Sequence, residues 1–205
     1  MKTHPLAALD TQARVLSCPR DHALEVVGGD WYRVISGLVR RCAFFSDGRR
    51  QIVSFMFPGD LFGFGNAEDG FPISAESVVR GTVVARYPRR AVDRLMASEP
   101  AAGEQIRALA FQWMHQTEAR LLNVGRMTAA ERVGAFLLEL AQRSAASGTP
   151  DIAVQMSRYD IADYLALSVE TVSRTLTRLQ EQGAIALPSA HQVRIADREA
   201  LAAQL

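Results

Sequence analysis

Between Ala13 and Tyr87 the apolar residues come in short runs broken by Gly and Asp, the pattern of short β-strands joined by turns. Arg33-Val34-Ile35 leads into Ser36-Gly37, and Leu38-Val39-Arg40 resumes an extended pattern. Within Cys42–Phe57, two apolar-rich runs flank Asp47-Gly48. That pair predicts a type I′ hairpin, in which both central positions need positive φ. Pro58-Gly59-Asp60 predicts a turn before Leu61-Phe62-Gly63-Phe64-Gly65. After a loop through Asp69-Gly70 and Pro72, Ala75–Tyr87 reads as strand, turn at Arg80-Gly81, strand. Such a series predicts a β-roll or barrel. Residues 1–11 read as a loose N-terminal arm.

The period changes at Pro88. Ala91–Ala97 predicts a short helix that stops near Pro100, and Gly103–Gly125 carries the longest helical pattern in the chain. Ile106, Leu109 or Ala110, Trp113, Thr117, Leu121 and Val124 recur every three or four residues. This stripe suits packing on the β-domain or on a twin helix in a second subunit, and periodicity does not separate the two. Gly125 marks a hinge. Thr128-Ala129-Ala130-Glu131 is a capping box opening a further helix, with Val133, Phe136, Leu137 and Leu140 as its core face. Ser144–Pro150 is a small-residue loop, and Ile152-Ala153-Val154 a short strand.

Met156–Ile185 reads as two short helices with a tight turn between them. Ser157 is a candidate N-cap for the first, whose apolar face holds Ile161, Ala162 and Leu165. Ala162 and Ala166 are small where the helices would cross. Ser168 caps the second helix, which buries Val172, Leu176 and Leu179 and ends near Gly183. The pattern is a helix-turn-helix. Glu170, Ser173, Arg174 and Thr177 lie on one side of the second helix, where Arg suits guanine O6 and N7 and Glu suits cytosine N4. A solvated charged face is the plainer alternative. Beyond Gly183, Ala184–Leu187 and Gln192–Ile195 form a predicted hairpin wing around Pro188-Ser189-Ala190-His191, and Asp197 caps a last helix.

Composition narrows the picture little. The chain has 205 residues, 48% hydrophobic and 22% charged, and a formal net charge of +1, so a DNA footprint must be a local basic patch. Cys18 and Cys42 are the only cysteines, and their spacing fits neither a zinc site nor a disulfide framework. They read as structural thiols. No apolar run approaches the ~18 residues of a membrane span, and no signal peptide opens the chain, so a cytoplasmic protein is expected. No glycine-rich phosphate loop, metal-ligand cluster or nucleophile–base motif points to an enzyme, and no cofactor is expected.

The carriers of a family resemblance are Val34-Ile35-Ser36-Gly37, Asp47-Gly48-Arg49-Arg50-Gln51-Ile52, Pro58-Gly59-Asp60-Leu61-Phe62-Gly63 and, above all, Glu170-Thr171-Val172-Ser173-Arg174 after Ile161-Ala162-Asp163-Tyr164-Leu165. In this order they resemble the CRP/FNR family of bacterial transcription regulators, most of all its FixK and FNR branches. The resemblance implies an α+β chain: a β-roll sensor-like domain at 1–98, a dimerisation helix and hinge at 99–126, and a winged helix-turn-helix DNA-binding domain at 127–205. It also implies a homodimer on double-stranded DNA that works with RNA polymerase. Ile106, Leu109, Trp113, Thr117, Leu121 and Val124 become the expected dimer seam.

Residue by residue, Glu170 matches the glutamate that reads cytosine, Arg174 the arginine that reads guanine, and Ser173 the serine that sets the outer base. Val169 stands where CRP proper has arginine, so the pattern implies TTGAT and ATCAA arms. Ser157, Arg158, Ser168, Thr171, Thr177, Arg178 and His191 are the expected phosphate or flanking contacts. The chain also departs from the family. The N-terminal region offers only Cys18, too few for the iron–sulfur centre of oxygen-sensing FNR proteins. Phe64 replaces the glutamate of cAMP-binding members, and Ile73-Ser74 lies near their Arg-Ser pair, with Arg80 as a possible substitute. His22 and His115 are the candidate axial ligands for haem. An effectorless roll is expected, and a regulator gated by a cyclic nucleotide or other small ligand in the roll is the alternative.

Overall fold

The computed structural model describes residues 4–26, 28–63, 73–144, 151–189 and 191–202. Phe64, the Asp69-Gly70 loop, Pro72, the loop at 145–150 and Ala190 of the wing turn lie outside the described residues. The chain forms two compact units, Met1–Gln116 and Thr117–Leu205.

The first unit is a β-roll. Its strands are β1 (Arg14–Cys18), β2 (Ala23–Leu24), β3 (Trp31–Ser36), β4 (Val39–Phe44), β5 (Arg50–Met56), β6 (Leu61–Phe62), β7 (Ile73–Ser77) and β8 (Thr82–Tyr87). They pair antiparallel in two sheets, ordered β1-β8-β3-β6 and β2-β7-β4-β5. Alternating side chains from both sheets meet inside, where Tyr32, Val34, Val39, Met56, Phe62, Ala75 and Val84 form one core. Gly37 shows why the Ser36-Gly37 turn is fixed. Its φ is +82°, and a Cβ there would come within 2.5 Å of the Thr82 hydroxyl.

Three expectations for this unit change. Residues 4–11, the described part of the expected loose arm, are ordered: Ala7–Gln12 form a 3₁₀ helix, with Leu6 and Leu9 buried against Leu61, Tyr87, Val92, Leu95 and Ile106. Two leucines on a single turn give too short a signal for periodicity to register. The Asp47-Gly48 hairpin exists, but among the described residues Gly48 alone has positive φ there. Gly48 N–H donates to the Phe45 carbonyl at 3.0 Å and Phe45 N–H to that of Arg49 at 2.9 Å, so the loop is longer than a two-residue type I′ turn. The Asp47 carboxylate holds it by accepting from the Arg49 amide and Nε at 3.0 and 2.7 Å. Finally, the short helix stops near Pro100 as expected, but the long helix starts at Pro100 itself rather than near Gly103. Helix α1 spans Arg89–Ser98, and α2 runs from Pro100 to Arg126. Proline suits the first helical position, where its missing N–H has no partner to lose.

Gly125 is not the hinge. It lies within α2, and Met127-Thr128 separate α2 from α3 (Ala129–Ser144). The predicted capping box is present: the Thr128 amide donates to the Glu131 carboxylate, and the Glu131 amide to the Thr128 hydroxyl at 3.4 Å. The second unit continues with β9 (Asp151–Ala153), α4 (Arg158–Leu165), α5 (Val169–Glu181), β10 (Ile185–Ser189), β11 (Gln192–Ile195) and α6 (Arg198–Ala202). Val133, Phe136, Leu137 and Leu140 from α3 are buried, as are Ile161, Ala162 and Leu165 from α4 and Val172, Leu176 and Leu179 from α5. The wing sheet is ordered β10-β11-β9. Pro188, expected in the turn, sits inside β10 where the register shifts between Ala186 and Ser189, and a bulge tolerates its missing donor.

Candidate nucleic-acid interface

The helix-turn-helix is fixed by its caps. The Ser157 hydroxyl accepts from the Asp160 amide at 3.1 Å while the Asp160 carboxylate accepts from the Ser157 amide at 3.2 Å, a complete capping box. Ala166 ends α4 in the left-handed region at φ 53°. It is exposed, so its size serves the turn rather than a helix crossing; Ala162 is the small residue that is buried. Ser168 then caps α5 by accepting from the Thr171 amide at 3.1 Å. At the far end the amide of Ala184 donates to the Leu179 carbonyl and that of Gly183 to Gln180, both at 3.0 Å, with Gly183 at φ 74°. These paired bonds make a Schellman stop.

With Val172, Leu176 and Leu179 turned inward, helical spacing puts Glu170, Ser173, Arg174 and Thr177 together on the outer face, and all four are exposed. Glu170 lies well placed to stay ionised. Its own backbone amide, the Ser168 hydroxyl and the nearby Arg174 hold its carboxyl below the usual range. The Thr177 hydroxyl donates back to the Ser173 carbonyl at 3.2 Å, so it is already engaged by its own helix. Arg178 is exposed in the last turn. Arg158 is half-buried, and that burial holds its guanidinium below its ordinary value. His191 is exposed in the wing turn; its amide donates to Ser189 Oγ at 3.3 Å and its Nδ1 lies 3.3 Å from the Val154 carbonyl.

The expected dimer stripe divides. Ile106 is buried in the core of its own unit with Leu109 partly buried on it, and Trp113 packs on the inner core of the roll. Thr117, Leu121 and Val124 are exposed. A second line on α2, of which the sequence reading named only Leu121, is exposed and apolar: Phe111 at 53%, Met114 at 48%, Leu121 at 74% and Leu122 at 66%. Their steps of three, seven and one residues are visible in the sequence. The line was masked because α2 is apolar on two sides, and a single stripe was sought.

The roll interior holds one residue the sequence did not suggest. Arg41 pairs in register with Ser54 on β5, and its guanidinium lies 5.6 Å from the Trp113 ring centroid. Burial holds Arg41 below its ordinary value, and the Ser54 hydroxyl is buried without a hydrogen-bond partner. Ile73 is exposed at the start of β7, the Ser74 hydroxyl is buried, and Arg80 is exposed in the β7–β8 turn. His22 and His115 are both exposed. Among the described residues no group of three or more His, Cys, Asp or Glu could hold a metal ion. Cys18 and Cys42 are buried thiols outside any disulfide, and burial pushes the Cys18 thiol up. No helix among the described residues is long and apolar enough to cross a membrane.

Comparison with known proteins agrees with this geometry. Residues 131–204 match a Crp-like helix-turn-helix domain and residues 24–99 a cyclic nucleotide-binding domain. The chain is 44% identical over 199 residues to the nitrogen fixation regulation protein FixK of Azorhizobium caulinodans, covering 96% of this chain and 79% of that protein. It is 41% identical over 170 residues to FixK of Rhizobium meliloti, covering 83% and 75%. Its fold matches the structure of FixK2 from Bradyrhizobium japonicum with a TM-score of 0.85 at 34% identity, over 94% of this chain and 96% of that one. A DNA-binding β-roll and winged-helix chain of this kind belongs to the CRP/FNR family of transcription regulators, among its FixK-like members.

Proposed function

We propose that the protein binds as a homodimer to a palindrome with TTGAT and ATCAA arms and acts, with RNA polymerase, as an activator in FixK-like control of low-oxygen or nitrogen-oxide metabolism. In this reading residues 1–98 are the sensor-like roll, 99–126 the dimerisation helix and 127–205 the DNA-binding domain. The observation that carries it is the outer face of α5, where Glu170, Ser173 and Arg174 stand exposed in the first turns of a capped helix. Laid in the major groove, Arg174 donates to guanine O6 and N7, Glu170 accepts from cytosine N4, and Ser173 sets the outer base. Ser157, Ser168, Thr171, Thr177, Arg158, Arg178 and His191 flank that face and fix its register on the phosphates. Two-fold symmetry puts the two α5 helices about 34 Å apart. A DNA partner supports a location in the bacterial cytoplasm.

The dimer seam we assign to the exposed line Phe111, Met114, Leu121 and Leu122 together with Thr117 and Val124. Ile106, Leu109 and Trp113 serve the roll of their own chain. Selection from random DNA, with and without oxygen, tests the whole proposal. Recovery of the TTGAT palindrome under both conditions supports an effector-independent regulator; recovery of unrelated sequences overturns it.

A second reading has its own observation. The desolvated Arg41 guanidinium and the unpartnered Ser54 hydroxyl inside the roll suit a small anionic ligand, which makes the protein ligand-gated. Calorimetry with cAMP and cGMP decides between the two: measurable heat of binding at one site per chain favours gating, and none with either nucleotide favours the effector-independent reading.

A further inference from the structure

Beyond the residues that face DNA, the second unit contains a set of polar contacts that the proposed base-reading scheme does not use. Arg132, near the start of α3, donates to four backbone carbonyls. Its Nη2 bonds Val124 near the end of α2 at 2.6 Å, and its Nε bonds Met127 in the α2–α3 link at 3.0 Å. Its Nη1 reaches Leu165 at 3.1 Å and Ala166 at 3.4 Å, in the turn between α4 and α5. One guanidinium therefore joins the end of the long helix to the turn of the helix-turn-helix. Both helix ends leave carbonyls without intrahelical partners, and a guanidinium with five donors can meet several of them at once.

A second tie lies one to two turns earlier on α2. The Arg120 guanidinium sits over the Tyr164 ring, 4.2 Å from its centroid, and donates to the Tyr164 hydroxyl. Tyr164 belongs to α4, is buried, and packs its ring on Phe136 of α3 at 5.4 Å. A cation over an aromatic face in a desolvated setting is among the stronger polar contacts a protein makes. Arg120 and Arg132 thus both grip the C-terminal turn of α4, Arg120 through the Tyr164 side chain and Arg132 through the Leu165 and Ala166 carbonyls. Two ties to one turn, one from α2 and one from α3, hold that turn against both helices. Since the α4–α5 turn is held by the Ala166 and Ser168 caps, α5 follows α4.

We infer that Arg120, Arg132 and Tyr164 are positioning residues for operator spacing: they lock the helix-turn-helix to the last turns of the dimerisation helix, so that the separation of two half-sites is read along with their sequence. The inference rests on the homodimer and palindrome of the proposed function. It assigns these three residues no contact with a base. Their loss therefore leaves recognition of one half-site intact and relaxes the geometry between two. Each base pair inserted between half-sites moves the second arm by about 3.4 Å and turns it by about a tenth of a helical turn. Rigidly held recognition helices reject that change, while loosely held ones follow it.

Fluorescence-anisotropy titration of the full-length protein tests this on palindromes with the selected spacing and with the gap lengthened or shortened by a base pair or two. A palindrome with mutated guanines serves as the sequence control. The wild-type protein is expected to prefer the selected spacing by about tenfold or more, as geometric selectivity requires. Arg120→Ala is expected to cut that preference to within about threefold while keeping the discrimination against mutated guanines. Arg120→Lys, which keeps a cation for the ring but loses the planar guanidinium, is expected to restore part of the spacing preference. Arg132→Ala is expected to act like Arg120→Ala, with its thermal melt recorded alongside because it strips partners from four carbonyls. Should Arg132→Ala fail to fold, Arg120→Ala and its lysine rescue carry the test alone. Unchanged spacing preference in Arg120→Ala, or equal loss of spacing and guanine discrimination, overturns the inference. A wild-type protein with no preference for a palindrome over a single arm overturns the proposed function and this inference with it.

Discussion

In the proposed function Arg174 and Glu170 divide the labour of base reading by charge, and each can be removed separately. Arg174→Ala is expected to cost about 1–3 kcal/mol of discrimination at the guanine while leaving salt-sensitive background binding on the phosphates. Gel-shift titration on matched and mutated arms measures this, and equal affinity of the wild-type protein for both would contradict the assignment. Glu170 must be ionised to accept from cytosine. Its carboxyl is held below the ordinary range, first by its own backbone amide and next by Ser168. A depressed value means that the charged form persists as pH falls, so preference at that pair is expected to stay flat from about pH 7 to about pH 5. A preference that fades in that window would show that another group does the reading. Ser157 is a residue of a different kind: its capping box with Asp160 shapes α4 rather than touching a base. Ser157→Ala is expected to lower stability by about 1 kcal/mol, read by chemical denaturation.

At the scale of elements, the proposed dimer rests on α2. Leu121 and Leu122 are exposed on a helix whose neighbouring side chains Ile106 and Trp113 are committed to the first unit. Large exposed apolar side chains in a line mark an interface. Leu121→Glu is expected to shift the protein from dimer to monomer in analytical ultracentrifugation and to weaken palindrome binding more than single-arm binding. A variant that remains dimeric would move the seam elsewhere. The same helix shows the limits of sequence periodicity. The core faces of α3, α4 and α5 were legible because each has one apolar stripe, and the caps Ser157, Ser168, Gly183 and Asp197 were legible because their chemistry is local. The shared exposed face of Glu170, Ser173 and Arg174 was legible for the same reason: a capped helix fixes which residues share a face. The two-sided helix α2 was not, because Phe111 and Met114 look like noise around the Ile106 stripe. Arg132 was invisible too. Its partners are backbone carbonyls up to 34 positions away, and side-chain patterns carry no trace of those.

Each unit of the molecule has a buried tyrosine whose hydroxyl is pushed up to about 12, Tyr87 in the roll, where Tyr32 is buried as well, and Tyr164 in the helix-turn-helix. Burial is the main cause in each case. At Tyr87 the bond to the Asp10 carboxylate adds to it, whereas at Tyr164 the Arg120 guanidinium opposes it. A native value above the ordinary 10.0 means that the folded chain holds its phenolic proton more tightly than the unfolded one. This contribution is fully present below pH 10 and is lost as pH climbs from about 10 to about 12. The two tryptophans separate the units, because Trp31 and Trp113 both lie in the first. Alkaline unfolding followed by tryptophan fluorescence therefore reports the roll, and far-ultraviolet circular dichroism reports the sum. Tyr87→Phe is expected to flatten the pH dependence of the fluorescence transition above pH 10. Tyr164→Phe is expected to leave that transition in place and to change only the dichroism signal. If Tyr164→Phe moves the fluorescence transition as far as Tyr87→Phe does, the two units unfold as one body.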